Sequence, residues 1–157
     1  MFVKEIMSQP VITASVDENL DAVARKMWEN DFGSVPVVDK QGRLAGIVTD
    51  RDVCMAAYTQ GKPLTAIPVK GVMAKEVFSS HPEDAISEAE KVMSTRQVRR
   101  VPVINAKGEV VGIVSLNDLA RRTVGSEGTL KRDIAPVDVL RTMVAVGKPR
   151  PHKVPQG

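Results

Sequence analysis

The sequence predicts a mixed α/β (α+β) protein built from two β-α-β-β-α repeats that pack with pseudo-two-fold symmetry. The first observation is a duplication. The stretch Ser34–Asp52, SVPVVDKQGRLAGIVTDRD, returns 66 positions later as Arg100–Asp118, RVPVINAKGEVVGIVSLND. In each copy, two apolar runs surround a turn that contains glycine, which is typical of a buried strand pair. Apolar residues at helical spacing precede both pairs.

The first repeat is expected to cover residues 1–60. A short helical turn at Val3–Met7 leads to a strand at Val11–Thr13. Asp17 is the expected N-cap of the following helix, since a carboxylate can accept from the free N–H groups of a first turn. Gly33 releases the chain after that helix. The apolar residues at helical spacing within it are Leu20, Val23, Ala24 and Met27.

A closing helix, a linker and a second repeat follow the first strand pair. Asp50 is expected to cap a helix from Arg51 to about Tyr58. Residues 61–71 contain two prolines and two glycines, and they predict a linker. The second repeat, residues 72–123, then copies the order of the first. Val77–Phe78 repeats the first strand, and Asp84 begins the helix.

Residues 124–157 are expected to form a C-terminal helix and a tail. Ala135–Val146 is amphipathic, with Pro136 in the first turn, where its missing N–H costs nothing. Gly147 ends the helix. Lys148–Gly157 is basic and rich in proline, so it is expected to be extended.

Composition excludes several classes of protein. The charge of +3 on 157 residues does not single out nucleic acid. No apolar run approaches the roughly 20 residues that span a bilayer, and the N-terminus lacks a signal-peptide core. One cysteine cannot form an internal disulfide, so a reducing cytoplasm is the simplest setting. That cysteine, Cys54, is expected to fill the core.

Catalytic and metal-binding patterns are missing from the sequence. His81 and His152 lie far apart and lack companion ligands at metal spacing. There is no Gly-rich phosphate loop and no isolated pair of carboxylates in an apolar setting. We therefore expect no catalytic residue, no metal and no required cofactor. An enzyme is the least expected class, and nucleic-acid binding is not favoured because base-stacking aromatic residues are scarce.

The duplicated strand pair, ending GIVTDRD and GIVSLND, resembles a pair of cystathionine β-synthase (CBS) domains, known as a Bateman module. The resemblance covers about Val3 to Arg122. It rests on Met7 and Met73, the doubled V-P-V strand, the turn glycine and G-h-h-[ST]-x-x-D. It implies sheet-to-sheet packing of the repeats, a flat homodimer and a stand-alone regulatory role. It also implies that the clefts between repeats bind adenosine ligands such as AMP, ADP, ATP or S-adenosylmethionine.

The chemistry of the motif agrees with such a ligand. One carboxylate can accept hydrogen bonds from both hydroxyls of a ribose, and a helix N-terminus favours nearby phosphate. Thr49 with Asp52, and Ser115 with Asp118, are therefore the candidate ribose and phosphate pairs. The alternative is that each Asp merely caps its own helix.

The resemblance implies that each cleft combines the [ST]-x-x-D of one repeat with the segment that precedes the V-P-V strand of the other. Cleft 1 is expected to contain Thr49, Asp52, Ile47, Val98, Arg99, Arg100 and Phe78. Cleft 2 is expected to contain Ser115, Asp118, Ile113, Gly33, Ser34, Ile12 and Ser8.

The two clefts should differ in affinity. Arg99 and Arg100 lie only on cleft 1, and a guanidinium suits phosphate oxygens. Cleft 1 should therefore bind a charged nucleotide more tightly, while cleft 2 is weaker, empty or suited to a less charged adenosine. The alternative for the two arginines is a solvated or dimer-facing position.

Two functions follow from the sequence. The first is an adenosine-nucleotide sensor that acts through conformational change and homodimerisation, with an effector protein still to be identified. The second is a ligand-free structural or protein-interaction module, in which the C-terminal helix makes the working contact.

Overall fold

The computed structural model describes residues 1–124 and 134–150, which form two small sheets and five α-helices. None of the helices in these ranges is long and apolar enough to cross a membrane. Part of the expected tail, residues 151–157, lies outside the described ranges. The elements are β1 (Ala14–Ser15), α1 (Leu20–Asn30), β2 (Ser34–Val38), β3 (Leu44–Thr49), α2 (Asp50–Gln60), α3 (Ile86–Arg96), β4 (Arg100–Ile104), β5 (Val110–Ser115), α4 (Leu116–Val124) and α5 (Pro136–Val146).

The two strand pairs match each other in register, which confirms the expected mixed α/β repeat. β2 and β3 are antiparallel with Ser34 opposite Thr49, and β4 and β5 are antiparallel with Arg100 opposite Ser115. Each pair carries an irregularity at the same place, after Val37 and after Val103. The duplication in sequence is thus also a duplication of backbone geometry.

The first strand of each repeat is shorter and later than expected. Val11–Thr13 is not a strand; β1 begins at Ala14 and runs parallel to β2. Val77–Phe78 is not a strand either, and its counterpart is a single parallel bridge between Ser80 and Val103. Apolar composition predicted the position of each first strand to within a few residues. The exact position depends on which backbone groups pair with the neighbouring strand.

Several helix ends also differ from the prediction. Asn19, not Asp17, caps α1, and its side chain accepts from the Ala22 N–H. The left-handed residue that ends α1 is Asp31, so Gly33 does not have this role. Several residues near each helix end could cap it. Which one does so depends on where the rest of the structure places the first and last turns of the helix.

The helices α2 and α3 begin differently too. Thr49, not Asp50, is the N-cap of α2. Asp84 precedes α3 by two residues, and its carboxylate accepts instead from the Ser80 hydroxyl and the His81 N–H. These hydrogen bonds lower the pKa of Asp84, the bond from the His81 backbone most of all, against the opposing effect of burial.

Cys54, expected in the core, is exposed on α2. The fully buried residue of that helix is Ala56, and Val53 packs partly against the core. Because successive helical residues point about 100° apart, Cys54 turns away from the side that Val53 occupies.

The N-terminal segment packs on the second repeat rather than the first. The Val3 N–H donates to the Asp84 carbonyl (2.9 Å), and the Ile86 N–H donates to the Met1 carbonyl (3.1 Å). Val3 is fully buried in a core cluster formed otherwise by repeat 2 and its flanking helix. The first residues of the chain therefore complete the core of the second repeat.

Residues 67–74 make the corresponding contact with the first repeat. The Leu20 N–H donates to the Ile67 carbonyl, and the Val69 N–H donates to the Glu18 carbonyl, both at 2.9 Å. Ile67 and Val69 are fully buried in the core of repeat 1. The segment expected to be a linker thus contributes core residues, and it contains two short 3-10 turns, Leu64–Ala66 and Val69–Gly71.

Two glycines allow these exchanged segments to approach the strands. A Cβ on Gly46 would lie 2.6 Å from the Met73 Sδ and 2.9 Å from the Ala74 carbonyl oxygen. A Cβ on Gly112 would lie 2.6 Å from the Met7 Sδ. The methionine of one repeat and the glycine of the other are therefore a matched pair, which explains why both recur in the duplication.

The predicted C-terminal helix is confirmed as α5, which packs on α3 and α4. Val139 and Thr142 are its buried residues, and Ile134, just before it, is also buried. The Gln97 side chain donates to the carbonyls of Ala145 (3.3 Å) and Lys148 (3.0 Å), which fixes the end of the helix.

Ile67→Ala is expected to lower the free energy of unfolding by about 2–5 kcal/mol, because it would empty a fully buried site. Urea unfolding measures this effect. Thr65→Ala, at an exposed position of the same segment, is the matched control and should change stability by less than about 0.5 kcal/mol. Equal effects of both substitutions would show that residues 61–71 are a linker without a core role.

Glu90→Gln is expected to raise the free energy of unfolding at neutral pH. Burial on α3 raises the pKa of Glu90 above its ordinary value of 4.5, and the nearby Asp138 carboxylate raises it further. Protonated Glu90 contributes its full stabilisation of the folded state below about pH 4.5, and this contribution is lost as pH rises through the pKa of Glu90 in the folded state. Urea unfolding at pH 7 and pH 4.5 should therefore show an advantage for Gln that shrinks at the lower pH. Glu88→Gln, at an exposed position of α3, is the control; an advantage of Glu90→Gln that does not change with pH would contradict the account.

Candidate functional site

The first candidate pair, Thr49 and Asp52, stands where β3 meets α2. The Thr49 N–H and hydroxyl both donate to Asp52 Oδ2 (2.8 Å each), and the Asp52 N–H donates back to Thr49 Oγ1 (3.2 Å). Thr49 and Asp52 form a capping box at the start of α2. The alternative role of the Asp as a helix cap therefore applies to its Oδ2 atom. Both side chains are half-buried.

The second candidate pair repeats this geometry where β5 meets α4. The Ser115 N–H and hydroxyl donate to Asp118 Oδ2 at 2.8 and 2.6 Å, and the Asp118 N–H donates to Ser115 Oγ at 3.2 Å. The two [ST]-x-x-D motifs are thus held rigidly and almost identically.

The second carboxylate oxygen distinguishes the two motifs. Arg121 donates to Asp118 Oδ1 at 2.8 Å and forms an ion pair with it. The equivalent residue in repeat 1 is Met55, which carries no donor. Within the described ranges, no hydrogen bond reaches Asp52 Oδ1. This second carboxylate oxygen is open in repeat 1 and occupied in repeat 2, a difference that the motif alone does not reveal.

Strand residues of each motif pair with the entry segment of the other repeat. Ile47 and Ala74 exchange backbone hydrogen bonds of 3.0 and 2.9 Å, and Ser8 and Ile113 exchange bonds of 2.8 and 3.2 Å. The structure thus places Ser8 beside Ile113, two residues that the sequence assigned to cleft 2. Ile12 is half-buried a few residues beyond Ser8.

Arg100 is the arginine that faces the first repeat. It lines an open pocket of ≈ 460 Å³ together with residues of the other repeat: Met27, Trp28, Asp31, Phe32, Gly33 and Asp50. The sequence assigned Arg100 and Gly33 to different clefts, but both line this pocket. Arg99 is exposed, and its carbonyl accepts from the Leu116 N–H. No ion pair to either guanidinium occurs within residues 1–124 and 134–150.

Asp50 is a pocket residue that sequence reasoning missed. Its N–H donates to the Gly33 carbonyl (3.0 Å), and a Cβ on Gly33 would lie 2.8 Å from Asp50 Oδ2. The carboxylate therefore occupies the space that a side chain at position 33 would need. The sequence did contain a signal for this contact, because Gly33 and Asp50 are replaced by Arg99 and Leu116 at the equivalent positions of repeat 2.

Two predicted site residues have other contacts, and a third is buried. The Arg96 guanidinium lies 3.9 Å from the centre of the Phe78 ring, so one face of that ring is already covered. Val98 packs against the core of repeat 2. Ser34 is buried, and its hydroxyl has no hydrogen-bond partner among the described residues.

Comparison with known proteins identifies the family of the chain. The family model of the CBS domain matches twice, at residues 3–58 and 69–125. The chain belongs to the CBS-domain family. The CBS domain-containing protein YhcV of Bacillus subtilis is 35% identical over 125 residues, which are 80% of this chain and 87% of that protein.

Two solved structures resemble the chain closely. The CBS domain pair of protein MJ0100, in complex with 5′-methylthioadenosine and S-adenosyl-L-methionine, superposes with a TM-score of 0.70 at 30% identity. It covers 77% of this chain and 94% of that one. Hypoxic Response Protein I, which holds two coordinated zinc ions, has a TM-score of 0.71 at 32% identity over 77% and 98% of the chains.

The two coordinated zinc ions belong to that relative's structure. Across residues 1–124 and 134–150, no group of three or more His, Cys, Asp or Glu side chains could hold a metal ion. Similarity to this zinc-containing structure therefore shows the fold without identifying zinc ligands among the described residues.

Thr49→Ala is expected to lower the free energy of unfolding by about 0.5–2 kcal/mol, since it removes the N-cap hydroxyl of α2. Thr49→Ser is the matched control, because serine occupies the equivalent position in repeat 2 and keeps the hydroxyl. Thermal and urea unfolding of both variants measure the difference. Unchanged stability of Thr49→Ala would show that this hydroxyl does not cap the helix.

Proposed function

We propose that this chain is a regulatory module that binds an adenosine-containing ligand between its two CBS repeats. The observation that carries the proposal is Asp52, whose Oδ2 is fixed by the capping box while Oδ1 has no donor within the described ranges. A rigid, half-buried acceptor of this kind suits the hydroxyls of a ribose. The adenosine derivatives bound to the CBS pair of MJ0100 support this class of ligand.

The charge around the site favours a phosphorylated ligand. Arg100 reaches the pocket beside Gly33 and Asp50, and its guanidinium has no ion pair with the described residues. A phosphate could bind it with charge-assisted hydrogen bonds. Asp50 lines the same pocket and would repel phosphate oxygens, so phosphate must approach Arg100 from the side away from this carboxylate. AMP, ADP and ATP are the candidate ligands.

The two clefts would bind with different affinity. Cleft 1 offers Asp52 with a free oxygen, whereas Asp118 of cleft 2 is already paired with Arg121. An incoming ribose would have to displace Arg121 there. Cleft 1 is therefore the proposed tight site for a charged nucleotide, and cleft 2 the weaker one.

Ligand binding would act by changing how the two repeats lie against each other. Each cleft includes groups from both repeats, so a ligand that contacts both favours one relative orientation. The chain would transmit this change as a cytoplasmic homodimer to an effector protein. This role needs no catalytic residue and no nucleic-acid surface.

A second candidate function is a ligand-free interaction module. The observation that favours it is exposed apolar surface on helices, including Trp28, Tyr58 and Leu140, at 89%, 82% and 60% exposure. Exposed apolar patches often mark interaction surfaces. In this case the helices, not the clefts, would carry the function.

Asp52→Asn is expected to weaken AMP binding about 10- to 150-fold, the equivalent of losing a hydrogen bond to a charged group worth about 1.5–3 kcal/mol. Isothermal titration calorimetry measures it. Asp118→Asn is the matched variant in the other motif and should leave the tight site unchanged. If Asp118→Asn removes the tight site and Asp52→Asn does not, the assignment of the clefts is reversed.

Arg100→Ala should weaken AMP more than it weakens uncharged 5′-methylthioadenosine, because only AMP carries a phosphate. Equal losses for both ligands would contradict a phosphate role for Arg100.

Differential scanning fluorimetry separates the two functions. A ligand at 100 times its dissociation constant adds about 2.7 kcal/mol of stability, which is readily detected. No thermal shift with AMP, ADP, ATP, NAD or S-adenosylmethionine would contradict the sensor function and favour the interaction module.

A further inference from the structure

The two [ST]-x-x-D motifs differ in the residue three positions after the aspartate. In repeat 2 this residue is Arg121, whose guanidinium lies 2.8 Å from Asp118 Oδ1. The Asp118 side chain is 11% exposed and the Arg121 side chain 76% exposed, so the guanidinium covers the solvent side of the carboxylate. In repeat 1 the residue is Met55, and Asp52 Oδ1 receives no hydrogen bond within the described ranges. The outer group of the motif is therefore a cation in repeat 2, whereas repeat 1 presents a carboxylate oxygen.

The charged residues beside the two motifs strengthen this difference. Asp50 and Arg51 are exposed at the start of α2, next to the motif aspartate. Their equivalents at the start of α4 are the uncharged Leu116 and Asn117. The exposed Arg99 adds positive charge beside α4, where its carbonyl accepts from the Leu116 N–H. The surroundings are therefore net acidic in repeat 1 and net basic in repeat 2.

Two other arginines of repeat 2 have different positions. Arg100 lines the pocket that contains Asp50, so its guanidinium lies on the side of repeat 1. Arg122 is half-buried and already interacts with another residue. The repeat 1 equivalent of Arg100 is Ser34, which is 6% exposed and whose hydroxyl has no partner among the described residues. The cation that lies against the motif carboxylate of repeat 2 is therefore Arg121.

A carboxylate and a guanidinium select different forms of a ribose. An open carboxylate accepts hydrogen bonds from two free hydroxyls, but it repels a phosphate ester at either of them. A guanidinium binds such a phosphate with charge-assisted hydrogen bonds. Rossmann folds use the same chemistry: an acidic residue binds the free 2′-hydroxyl of a ribose, and an arginine accommodates a 2′-phosphate.

We propose that cleft 2 is specific for adenosine nucleotides that carry a phosphate on the 2′- or 3′-hydroxyl of the ribose, and that Arg121 selects this phosphate. The inference rests on the proposed function, because it requires that adenosine ligands enter both clefts. It adds a second class of ligand, so that the two clefts respond to different nucleotides rather than to two concentrations of one.

The ion pair of repeat 2 explains why a ribose phosphate is favoured there over a free ribose. A free ribose displaces Arg121 from Asp118 Oδ1, and its hydroxyls give the guanidinium no charged acceptor. A ribose phosphate also displaces it, through the remaining hydroxyl, but supplies phosphate oxygens to the guanidinium. Since the Arg121 side chain is largely exposed, it can turn from one acceptor to the other without disturbing the core. In repeat 1 the same phosphate would meet the open Asp52 carboxylate.

Isothermal titration calorimetry with three isomers of AMP tests the proposal, because 5′-, 3′- and 2′-AMP differ only in the position of the phosphate. In the wild type, 3′-AMP or 2′-AMP should bind at one site per chain, and more tightly than adenosine. In Arg121→Met, which introduces the repeat 1 residue, this binding should weaken at least about tenfold, since a charge-assisted hydrogen bond is lost. The weaker 5′-AMP site should become tighter in the same variant, because its ribose no longer displaces a guanidinium from Asp118.

Arg141→Met is the matched control. Arg141 pairs with Asp138, also three positions away on a helix, and its side chain is 75% exposed. This variant removes the same charge from the same kind of ion pair on α5, outside both motifs. It should leave the affinities of all three isomers unchanged.

Met55→Arg provides a gain of binding that misfolding cannot imitate. It places a guanidinium three positions after Asp52, as in repeat 2. The number of 3′-AMP or 2′-AMP molecules bound per chain should rise from one to two, and 5′-AMP should bind more weakly at its tight site. An unchanged number of bound ribose phosphates would contradict the role given to the arginine.

The ligands also separate a failure of this inference from a failure of the proposed function. If 5′-AMP binds but neither 3′-AMP nor 2′-AMP binds more tightly than adenosine, the specificity of cleft 2 is overturned and the proposed function stands. If Arg121→Met and Arg141→Met weaken the ribose phosphates equally, Arg121 does not select them. If none of the three isomers binds, the proposed function and this inference are both overturned.

Discussion

The structure depends on the exchange of segments between its two repeats. Val3 completes the core of repeat 2, and Ile67 and Val69 complete the core of repeat 1, so neither core is made from one repeat alone. The closely packed pairs Met7 with Gly112 and Met73 with Gly46 hold these segments against the strands. Because a cleft between repeats keeps its shape only while the repeats stay together, this exchange is also what positions every candidate ligand contact.

Much of the fold follows from local sequence, because a duplicated apolar pattern with a turn glycine has few alternatives. The strand pairs and the helix α5 belong to this class. The first strands, the cap of α1 and the exposure of Cys54 do not, because each is decided by which distant backbone or side chain lies opposite. The local sequence of residues 61–71 predicts a linker, and only the burial of Ile67 and Val69 in the core of repeat 1 shows their core role.

In the candidate site too, some features follow from local sequence and others depend on distant contacts. The motif indicated Thr49 and Asp52 and their counterparts, because the [ST]-x-x-D spacing is fixed by the geometry of a helix start. It could not indicate that Arg121 occupies one oxygen of Asp118, or that Asp50 fills the space beside Gly33. These are side-chain contacts between positions that the repeat does not conserve in type, and they make two copies of one motif chemically unequal.

Native mass spectrometry of the wild type titrated with AMP measures whether the two clefts bind with different affinity. Each bound nucleotide adds a resolved mass, so the occupancy of every chain can be counted. One AMP per chain is expected at low concentration and a second only at a higher concentration, since the ribose in cleft 2 must displace Arg121 from Asp118. Two AMP molecules entering each chain together, or none at any concentration, would contradict it.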